Sequence, residues 1–363
     1  MQSCSSAASQ RSPASNPRKQ TLSGMKPPAV SIVLPCYNAE NDVARAIESI
    51  RAQTLTDWEL IAIDDGSQDG TLDVLADLAA LDHRIRVRSK PHSGVVDTAN
   101  LAMQLARAPV IARMDADDVS RPDRLSEQLA YLRRNPDCGA VSCLAHFAGN
   151  RETAGGYAHH VDWANGCLTQ HDIELNRFID LPAPNPTLMF RSQLLDNHGH
   201  YKNGDFPEDY ELFLRWISRG VRIGKVNSPL LDWHDPPTRI TRNDTRYSPA
   251  AFHQCKAPYL LQAIQKIGCE DRQLWICGAG RPARKLARAL ESLWKPASGF
   301  IDLDPAKIGR TIHGRPVVSP DNLPEKNQAV IINFIASRGV GEAVRRDLIA
   351  KGREEGVDFW IAA

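Results

Sequence analysis

Short apolar runs alternate with amphipathic windows over the first 150 residues of the chain. The apolar runs predict strands at residues 30–35, 58–64, 85–89, 109–115 and 139–147. The windows between them carry apolar residues at i, i+3 or i+4, and i+7, a pattern that predicts helices at 43–53, 71–81, 95–108 and 124–135. Strand–helix repeats of this length favour right-handed βαβ units. We therefore expect an α/β fold with a mostly parallel sheet sandwiched by helices.

The pattern changes after residue 150. The next hundred residues are rich in Pro, His and Asn and contain one clear helical pattern, at about 208–219, so we interpret them as an elaboration of the first domain. A second strand–helix–strand series begins at Gln273 and predicts a small Rossmann-like α/β domain. The predicted divisions are a disordered leader at 1–28, the first α/β domain at 29–250, a connecting helix at 251–270 and the Rossmann-like domain at 271–363.

Composition narrows the class of protein. The chain has 363 residues, 42% of them hydrophobic, and its 44 Lys and Arg nearly balance its 43 Asp and Glu. Without a basic field we expect no nucleic-acid partner. No apolar run approaches the roughly 18–20 residues of a membrane span. Residues 1–28 lack the apolar core of a secretory signal, so they read as a leader, or Met25 is the true start.

The cysteine pattern indicates a reducing compartment. The eight cysteines are scattered, none forms a C-x-x-C pair, and several lie inside apolar runs. This pattern predicts buried free thiols in the cytoplasm and argues against a disulfide framework or a zinc site.

The first two predicted strands end in polar residues. In "SIVLPCYNAE" Pro35 stops the strand, and Tyr37 follows in the loop, where it is either an ordinary loop residue or a platform for a flat base. In "IAIDDGSQDGT" Ser67 or Asp69 can cap the next helix. Capping does not require the adjacent acids Asp64 and Asp65. A carboxylate there could accept from the N–H of a base or from a ribose hydroxyl.

The fourth predicted strand ends in three acids within four positions, Asp115, Asp117 and Asp118. On an extended backbone Asp115 and Asp117 point to the same side, which suits a hard divalent cation such as Mg²⁺ or Mn²⁺. The alternative is a helix N-terminus, with Ser120 as the cap ahead of Asp123. We predict both, because Ser120 and Asp123 suffice for the cap and leave Asp115 and Asp117 free.

Two further stretches carry candidate chemistry. Glu208 and Asp209 open the helix at about 208–219, where the helix dipole alone would favour acids. His234 follows an apolar run and precedes Arg239 and Arg242. A lone His is more often a packing residue than a ligand, but basic side chains after it could hold a pyrophosphate, and Arg239 would then belong to a donor-binding site.

Taken in order, these motifs resemble the inverting family 2 nucleotide-sugar glycosyltransferases of GT-A fold. The matching stretches are "SIVLPCYNAE", "IAIDDGSQDGT", "HSGVVDTANLAMQLARAPVIARMDADD", "NPTLMFRSQLLDNHGHY" and "PEDYELFLRW". The resemblance covers roughly residues 29–245. Each motif alone is weak, whereas five in register are specific.

On the donor side, the resemblance implies that Pro35, Tyr37 and Glu40 line the nucleotide pocket. It also implies that Asp64 or Asp65 contacts the base, which is most often uracil in this family.

For catalysis, the resemblance implies that Asp115 and Asp117 form the DxD motif that holds the metal–diphosphate, with Asp117 the more direct ligand. Asp209 would be the base that deprotonates the acceptor hydroxyl, with Glu208 as its substitute. His234 would add a late metal or diphosphate contact.

The implied function is a metal-dependent inverting glycosyltransferase. It would use Mn²⁺ or Mg²⁺ and a UDP-sugar donor, and it would transfer to a glycan or lipid-linked glycan acceptor in bacterial surface polysaccharide or glycoconjugate synthesis. We expect it in the cytoplasm, with peripheral contact at the inner face of the membrane if the acceptor is lipid-linked. The alternative is a non-catalytic nucleotide-sugar-binding or assembly subunit. A nucleotidyltransferase would need a Gly-rich basic loop after the first strand, where "PCYNAEND" is acidic.

The C-terminal region carries a separate motif. "CGAGRPARKLA" is a G-x-G-x-x-A fingerprint between a predicted strand and helix, with Gly278 and Gly280 in the turn. Asp302 lies 22 residues after Gly280, where a ribose-binding acid would sit. The stretch resembles the Rossmann-like N-terminal domains of sugar acetyltransferases and nucleotide-sugar-modifying enzymes. Because Arg281 and Pro282 fill the phosphate turn unusually, two roles stay open: nucleotide binding, or docking and homo-oligomer formation.

Overall fold

The computed structural model describes residues 26–236 and 239–363. Most of the predicted leader, residues 1–25, lies outside them. Over the described residues the chain builds two sheets with helices packed on them. The strands of the first sheet are β1 (Val30–Cys36), β2 (Trp58–Asp64), β3 (Ile85–Ser89), β4 (Val110–Arg113), β5 (Val119–Ser120), β6 (Cys138–Phe147), β7 (Met189–Arg191) and β8 (Arg222–Trp233).

The helices around the first sheet include the four that the periodicity predicts. Their bounds are α1 (Val43–Arg51), α2 (Thr71–Leu81), α3 (Val95–Leu105), α4 (Arg124–Arg134), α5 (Gly155–Gly166), α6 (Gln170–Asn176), α7 (Gln193–His198), α8 (Glu208–Ser218) and α9 (Ile240–Asn243).

The first sheet is mixed. Its strand order is β3-β2-β1-β4-β7-β6-β8-β5. The β1–β2, β1–β4, β2–β3 and β6–β8 pairs are parallel, whereas β4–β7, β6–β7 and β5–β8 are antiparallel. The predicted parallel βαβ arrangement is thus confirmed for β1 to β4. The short strand β7, which comes from the part of the chain after residue 150, runs antiparallel beside β4.

Strands β1 and β2 are buried on both faces, as a parallel sheet covered by helices requires. Alternate residues face opposite sides of the sheet. Val33 and Ile61 join one apolar core with residues of α3. Ile32 and Leu60 join a second core with residues of α1, α2 and α4. This packing fixes the register in which Cys36 lies opposite Asp64, and hence the place where both strands end.

The second sheet has six strands in the order β11-β12-β10-β9-β13-β14. Its pairs are parallel except β11–β12. The elements are α10 (Pro249–Lys266), β9 (Gln273–Cys277), α11 (Arg281–Leu293), β10 (Gly299–Ile301), β11 (Thr311–Ile312), β12 (Arg315–Val318), β13 (Ala329–Asn333), α12 (Val340–Ala350) and β14 (Phe359–Ile361).

The two sheets share one apolar core through α10. Phe178 and Tyr210 from the first part pack in the same cluster as Leu260 of α10 and Trp360 of β14. The predicted connecting helix at 251–270 is therefore a packed element, and the domain boundaries at 250 and 271 stay a prediction.

The structure also bears on the cysteines and on membrane-spanning helices. All seven cysteines among the described residues are free and buried. Over the same residues, no helix is both long enough and apolar enough to cross a membrane.

The predicted cap of α4 is wrong. Ser120 belongs to the short strand β5, and its Oγ accepts a hydrogen bond from Gln53 Nε2 at 3.2 Å. Asp123 does occupy the residue before α4, but its side chain makes no capping hydrogen bond. Its Oδ1 accepts from Thr54 Oγ1 at 2.9 Å. The reason is that the chain turns after Asp115 and adds a strand, so helix α4 is entered from an extended segment.

Candidate active site

The candidate site lies where β1, β2 and β4 end at the same edge of the first sheet. Three loops leave this edge, and each carries acids named from the sequence. Because parallel strands present their carboxyl ends together, motifs 30 to 80 residues apart in sequence become neighbours in space.

The acids after β2 are buried and organise the surrounding loops. Asp64 accepts from Ser89 Oγ at 2.7 Å and from the backbone N–H of Ser67 at 3.2 Å. Asp65 accepts from the backbone N–H groups of Ser93 and Gly94, both at 2.9 Å, and is paired with Lys90. Burial alone would raise the pKa of Asp65, but these hydrogen bonds outweigh it and lower the pKa. Asp65 therefore stays ionised and holds the loop that precedes α3.

The loop after β1 places an aromatic ring beside these acids. Tyr37 is 44% exposed and stacks on His92, with ring centroids 4.2 Å apart. Glu40 instead accepts from the backbone N–H of Gly70 at 2.7 Å, so it ties the β1 loop to the start of α2. Pro35 lies within β1, one residue before its end. Pro35 therefore does not end the strand, because the pairing with β2 continues to Cys36. Tyr37 is the one of these residues with an exposed ring, and their place in a nucleotide pocket stays a prediction.

The acids after β4 form a tight cluster. Carboxylate oxygens of Asp115, Asp117 and Asp118 all lie within 4.8 Å of one another, the spacing of a cation site. The segment is a turn, because the backbone N–H of Asp118 approaches the Asp115 carbonyl at 3.4 Å. The premise of an extended backbone through Asp117 is therefore wrong. The turn brings in Asp118, which the sequence pattern left unassigned.

The cluster is electrostatically strained without a cation. Burial, and then the neighbouring charge of Asp115, raises the pKa of Asp117 to about 6. Burial and the charges of Asp117 and Asp115 raise the pKa of Asp118 well above its ordinary value. Asp118 Oδ1 accepts from the backbone N–H of His234 at 2.9 Å, but its buried Oδ2 has no hydrogen-bond partner. Three neighbouring carboxylates, one of them with a buried oxygen that lacks a hydrogen-bond partner, form a set of oxygen ligands that suits a hard divalent cation.

Two arginines that the sequence analysis missed hold this turn. Arg113 is buried at the end of β4, and its guanidinium pairs with Asp115 Oδ1 at 2.6 Å. Arg45 of α1 donates to the backbone carbonyl of Asp117 at 3.0 Å. A charged residue inside an apolar strand must find a partner, and that was the available signal for Arg113.

The acids at the start of α8 face the same space. Glu208 is buried and accepts from the hydroxyl of Tyr247 at 2.7 Å, a partner that sequence reasoning did not identify. Burial, and then the charge of Glu208, raises the pKa of Asp209 to about 7. Asp115 also contributes to this shift, which places Asp209 within electrostatic reach of the β4 cluster. A carboxylate with a pKa near 7 suits a general base.

His234 and Arg239 follow strand β8 and lie next to the cluster of Asp115, Asp117 and Asp118. His234 meets Asp118 through its backbone N–H, while its ring Nδ1 lies 3.3 Å from the Asp232 carbonyl. Among the described residues, the group that could hold a metal ion comprises Asp115, Asp117 and Asp118, so the structure does not place the His234 ring among the candidate ligands. Arg239 donates to the His234 carbonyl at 3.0 Å and lies over the Trp233 ring at 4.1 Å. Its charge lowers the pKa of Asp117 against the larger effects of burial and Asp115.

The C-terminal fingerprint is a separate feature on the second sheet. Gly278 has φ +102°, and a Cβ there would lie 2.6 Å from the Cβ of Ala283, so the turn requires glycine. Asp302 Oδ2 accepts from the backbone N–H of Ala279 at 2.9 Å and is 3.2 Å from Lys307 Nζ. A Cβ on Gly280 would meet only Pro282, at 3.7 Å. Asp302 thus supports the turn directly.

Comparison with known proteins identifies the family. Residues 31–198 match Glycosyl transferase family 2. A putative glycosyltransferase, EpsE of Bacillus subtilis, is 39% identical over 239 residues, which are 61% of this chain and 78% of that protein. The chain belongs to glycosyl transferase family 2.

Other relatives differ in how much of their length is matched. The O-antigen biosynthesis glycosyltransferase WbnJ of Escherichia coli is 28% identical over 244 residues, 65% of this chain and 89% of that protein. An uncharacterized glycosyltransferase of Haemophilus influenzae is 31% identical over 192 residues, 51% of this chain and 59% of that protein. The chain thus spans less than two thirds of the length of that relative.

Solved structures agree on the fold. S. aureus TarS 1–349, crystallised in complex with UDP-GlcNAc, superposes with a TM-score of 0.52 at 16% identity, covering 72% of this chain and 70% of that one. At this identity the likeness concerns the fold alone. The first sheet and its helices have the GT-A type of architecture.

Proposed function

We propose that this family 2 protein is a metal-dependent inverting glycosyltransferase. It moves a sugar from a nucleotide donor, UDP by preference, to a hydroxyl of a glycan or lipid-linked glycan acceptor. The observation that carries the proposal is the convergence of Asp115, Asp117 and Asp118 within 4.8 Å, in electrostatic reach of Asp209 at the start of α8.

The cluster suits a divalent cation. Three carboxylates, one with an unpartnered buried oxygen, match the oxygen ligands of Mg²⁺ or Mn²⁺. When bound there, such a cation would supply positive charge against a leaving diphosphate. Arg113 positions Asp115, and the backbone of His234 positions Asp118. Arg239, next to the cluster, would add a second positive charge for the diphosphate.

Asp209 is the proposed base. A bond forms between the acceptor oxygen and the anomeric carbon while the bond to the diphosphate breaks, and the acceptor proton passes to the Asp209 carboxylate. Attack on the face opposite the leaving group inverts the anomeric centre. Glu208 contributes by keeping the proton affinity of Asp209 high, and the Tyr247 hydroxyl fixes Glu208. One base suffices, so no covalent enzyme intermediate is required.

The donor side supports a nucleotide with a flat base. Tyr37 offers an exposed ring on His92, beside Asp64 and Asp65. The UDP-GlcNAc complex of TarS supports UDP as the first donor to test. The name of WbnJ, an O-antigen biosynthesis glycosyltransferase, supports a glycan acceptor. The proposed site of action is the cytoplasm. The second sheet is proposed to be a Rossmann-like docking or nucleotide-binding domain over residues 271–363.

A donor screen tests the proposal. Hydrolysis of UDP-, GDP- and dTDP-sugars is measured with Mn²⁺, with Mg²⁺ and with EDTA, together with Mn²⁺ binding by calorimetry. We expect metal-dependent turnover of at least one donor. A donor present at about 100 times its Kd should also stabilise the protein by about 2.7 kcal/mol in thermal unfolding.

Variants separate the roles of the two acidic groups. Asp117→Ala should abolish Mn²⁺ binding and turnover. Asp209→Asn should abolish transfer but leave donor binding nearly intact. Asp205→Asn, an exposed acid four residues before Asp209, is the matched control. A protein that binds a donor but never turns it over would support the non-catalytic alternative, and full activity of Asp117→Ala would refute the proposed metal site.

A further inference from the structure

An ion pair near Asp209 has no part in the mechanism described above. It joins His160, on α5, to Asp180, in the loop after α6, with 3.2 Å between His160 Nδ1 and Asp180 Oδ2. The two side chains are 21% and 42% exposed, so the pair lies at a surface open to a ligand. Both residues belong to the stretch after residue 150, and neither lies in a motif named from the sequence.

Two buried lysines fix the segment that carries Asp180. Lys256 of α10 donates to the carbonyls of Phe178 and Ile179, at 2.6 and 3.0 Å. Lys225 of β8 donates to the Pro182 carbonyl at 2.8 Å, and also to the carbonyl of Ala164 near the end of α5. Residues on both sides of Asp180 are therefore anchored to the core. Each buried ammonium needs hydrogen-bond acceptors, and the carbonyls on both sides of Asp180 supply them, which fixes the course of this segment.

Contacts and charges connect the pair to the proposed base. The hydroxyl of Tyr210, the residue after Asp209, donates to the Arg177 carbonyl at 2.6 Å, three residues before Asp180. Asp180 is among the charges that raise the pKa of Asp209. Burial lowers the pKa of His160, but Asp180 and then Asp209 raise it, with Arg239 opposing them, and the net shift is upward. Asp180 itself is acted on by His160 and Lys256. Asp209 and the ion pair are therefore within electrostatic reach of each other.

Two aromatic rings lie beside the ring of His160. The Trp163 ring lies 5.7 Å from that of His160, and the Trp233 ring lies 6.1 Å away, measured between centroids. Trp163 is partly exposed. An aromatic surface beside convergent polar groups is the chemistry that receives a sugar ring, whose C–H face is apolar and whose edge carries hydroxyls.

We propose that His160 and Asp180 form an acceptor-binding dyad for a pyranose. The dyad rests on the proposed transferase function and adds the class of acceptor. Asp180 accepts from Nδ1–H and orients the ring, so Nε2 is the nitrogen left for a ligand. Nε2–H donates to an oxygen of the acceptor sugar next to the hydroxyl that Asp209 deprotonates. His160 thus binds and aligns the acceptor, and Asp180 is a positioning residue.

The test compares transfer with donor hydrolysis in one reaction. The protein is given the donor found in the screen and, as acceptor probes, the methyl pyranosides of glucose, galactose, mannose and N-acetylglucosamine. Products are separated, and the ratio of transfer to hydrolysis is recorded. His160→Gln and Asp180→Asn are compared with His159→Gln, an exposed neighbour on the same helix. Donor hydrolysis in each variant reports folding and the donor site.

We expect His160→Gln to lower the transfer-to-hydrolysis ratio about 10- to 100-fold, the effect of one hydrogen bond from a charged donor, while hydrolysis stays within about twofold. KM for the pyranoside should rise more than kcat falls. Asp180→Asn should give a smaller loss of the same kind and lower the His160 pKa measured by NMR. His159→Gln should match the wild type.

Three results would overturn the dyad. These are an unchanged ratio in His160→Gln, an equal loss in His159→Gln, and a wild-type protein that hydrolyses the donor but transfers to none of the pyranosides. Failure of the underlying function is distinct, because the wild type would then neither bind nor hydrolyse any nucleotide sugar.

Discussion

Lys256 links the second sheet to the acceptor side of the site, and replacing it is a direct test of that link. It is 2% exposed and donates to the carbonyls of Phe178 and Ile179, and to that of Ala362 at 3.1 Å. One ammonium group thus joins the segment next to Asp180 to the C-terminal end of β14. Lys256→Met keeps most of the side-chain volume and removes every donor.

The expected loss of stability follows from two opposing terms. Three carbonyls lose their donor, at about 1–3 kcal/mol each if they stay buried without a substitute. Against this, Met does not bury a charge. Burial lowers the pKa of Lys256 from 10.5 to about 8. At about 1.4 kcal/mol per pKa unit, the charge costs roughly 3 kcal/mol. The three carbonyls together account for about 3–9 kcal/mol, so we expect a net destabilisation of about 0–6 kcal/mol near pH 7, with about 3 kcal/mol at the middle of the range.

The assay is hydrogen exchange read by mass spectrometry, together with urea unfolding. Lys256→Met should speed exchange in residues 177–183 and 359–363 together, and leave β2 unchanged. Lys266→Met, at the exposed end of the same helix, is the matched control and should shift stability by less than about 0.5 kcal/mol. Faster exchange in only one of the two segments, or none in either, would refute the idea that Lys256 couples them.

Three further predictions concern buried titratable groups. Glu208→Gln removes the charge that, second to burial, raises the pKa of Asp209. The acidic limb of the pH–rate profile for transfer should therefore move to lower pH. If this limb does not move, or moves to higher pH, Asp209 is excluded as the base. Asp118→Asn should weaken Mn²⁺ binding in calorimetry by at least about tenfold yet raise apo-protein stability in urea by about 1–3 kcal/mol, because it removes a buried charge that repels two others; weaker binding with no gain in stability would contradict this account. His253 is buried and its pKa is lowered from 6.5 to about 3, first by burial and then by Lys256. The unfolded chain takes up the proton first, so stability should fall as pH drops from 6.5 towards 3, and His253→Phe should flatten that slope in urea unfolding; an equal slope in both proteins would exclude His253 as its source.

The sequence was sufficient for the elements whose periodicity is long and strong. Helices α2 and α4 and strands β2 and β3 begin where the apolar pattern predicts them. Strands β5 and β7 have two and three residues, too few to carry a period. Helix α5 opens with two glycines and lacks an amphipathic stripe, so it too left no signal. These missed elements carry or frame the acceptor side.

The proposed donor side and acceptor side of the site also differ in how far a sequence pattern predicts them. Donor-side acids stand at the ends of strands, so a sequence pattern that locates the strands also locates the acids. Asp118 joins the cluster only through a turn at Asp115, which a period-2 pattern cannot show.

The acceptor side depends on contacts between distant parts of the chain. Asp180 is placed by Lys225 and Lys256, 45 and 76 residues away, and His160 comes from a third element. No local pattern encodes such a meeting, because it follows from how the second sheet and α10 pack on the first. The proposed donor-side residues can therefore be predicted from the sequence, because they stand at the ends of strands. The proposed acceptor-side residues cannot, because tertiary packing brings them together. The residue after β14 of the second sheet supplies the Ala362 carbonyl to Lys256, so this sheet helps to fix the proposed acceptor dyad whether or not it binds a nucleotide.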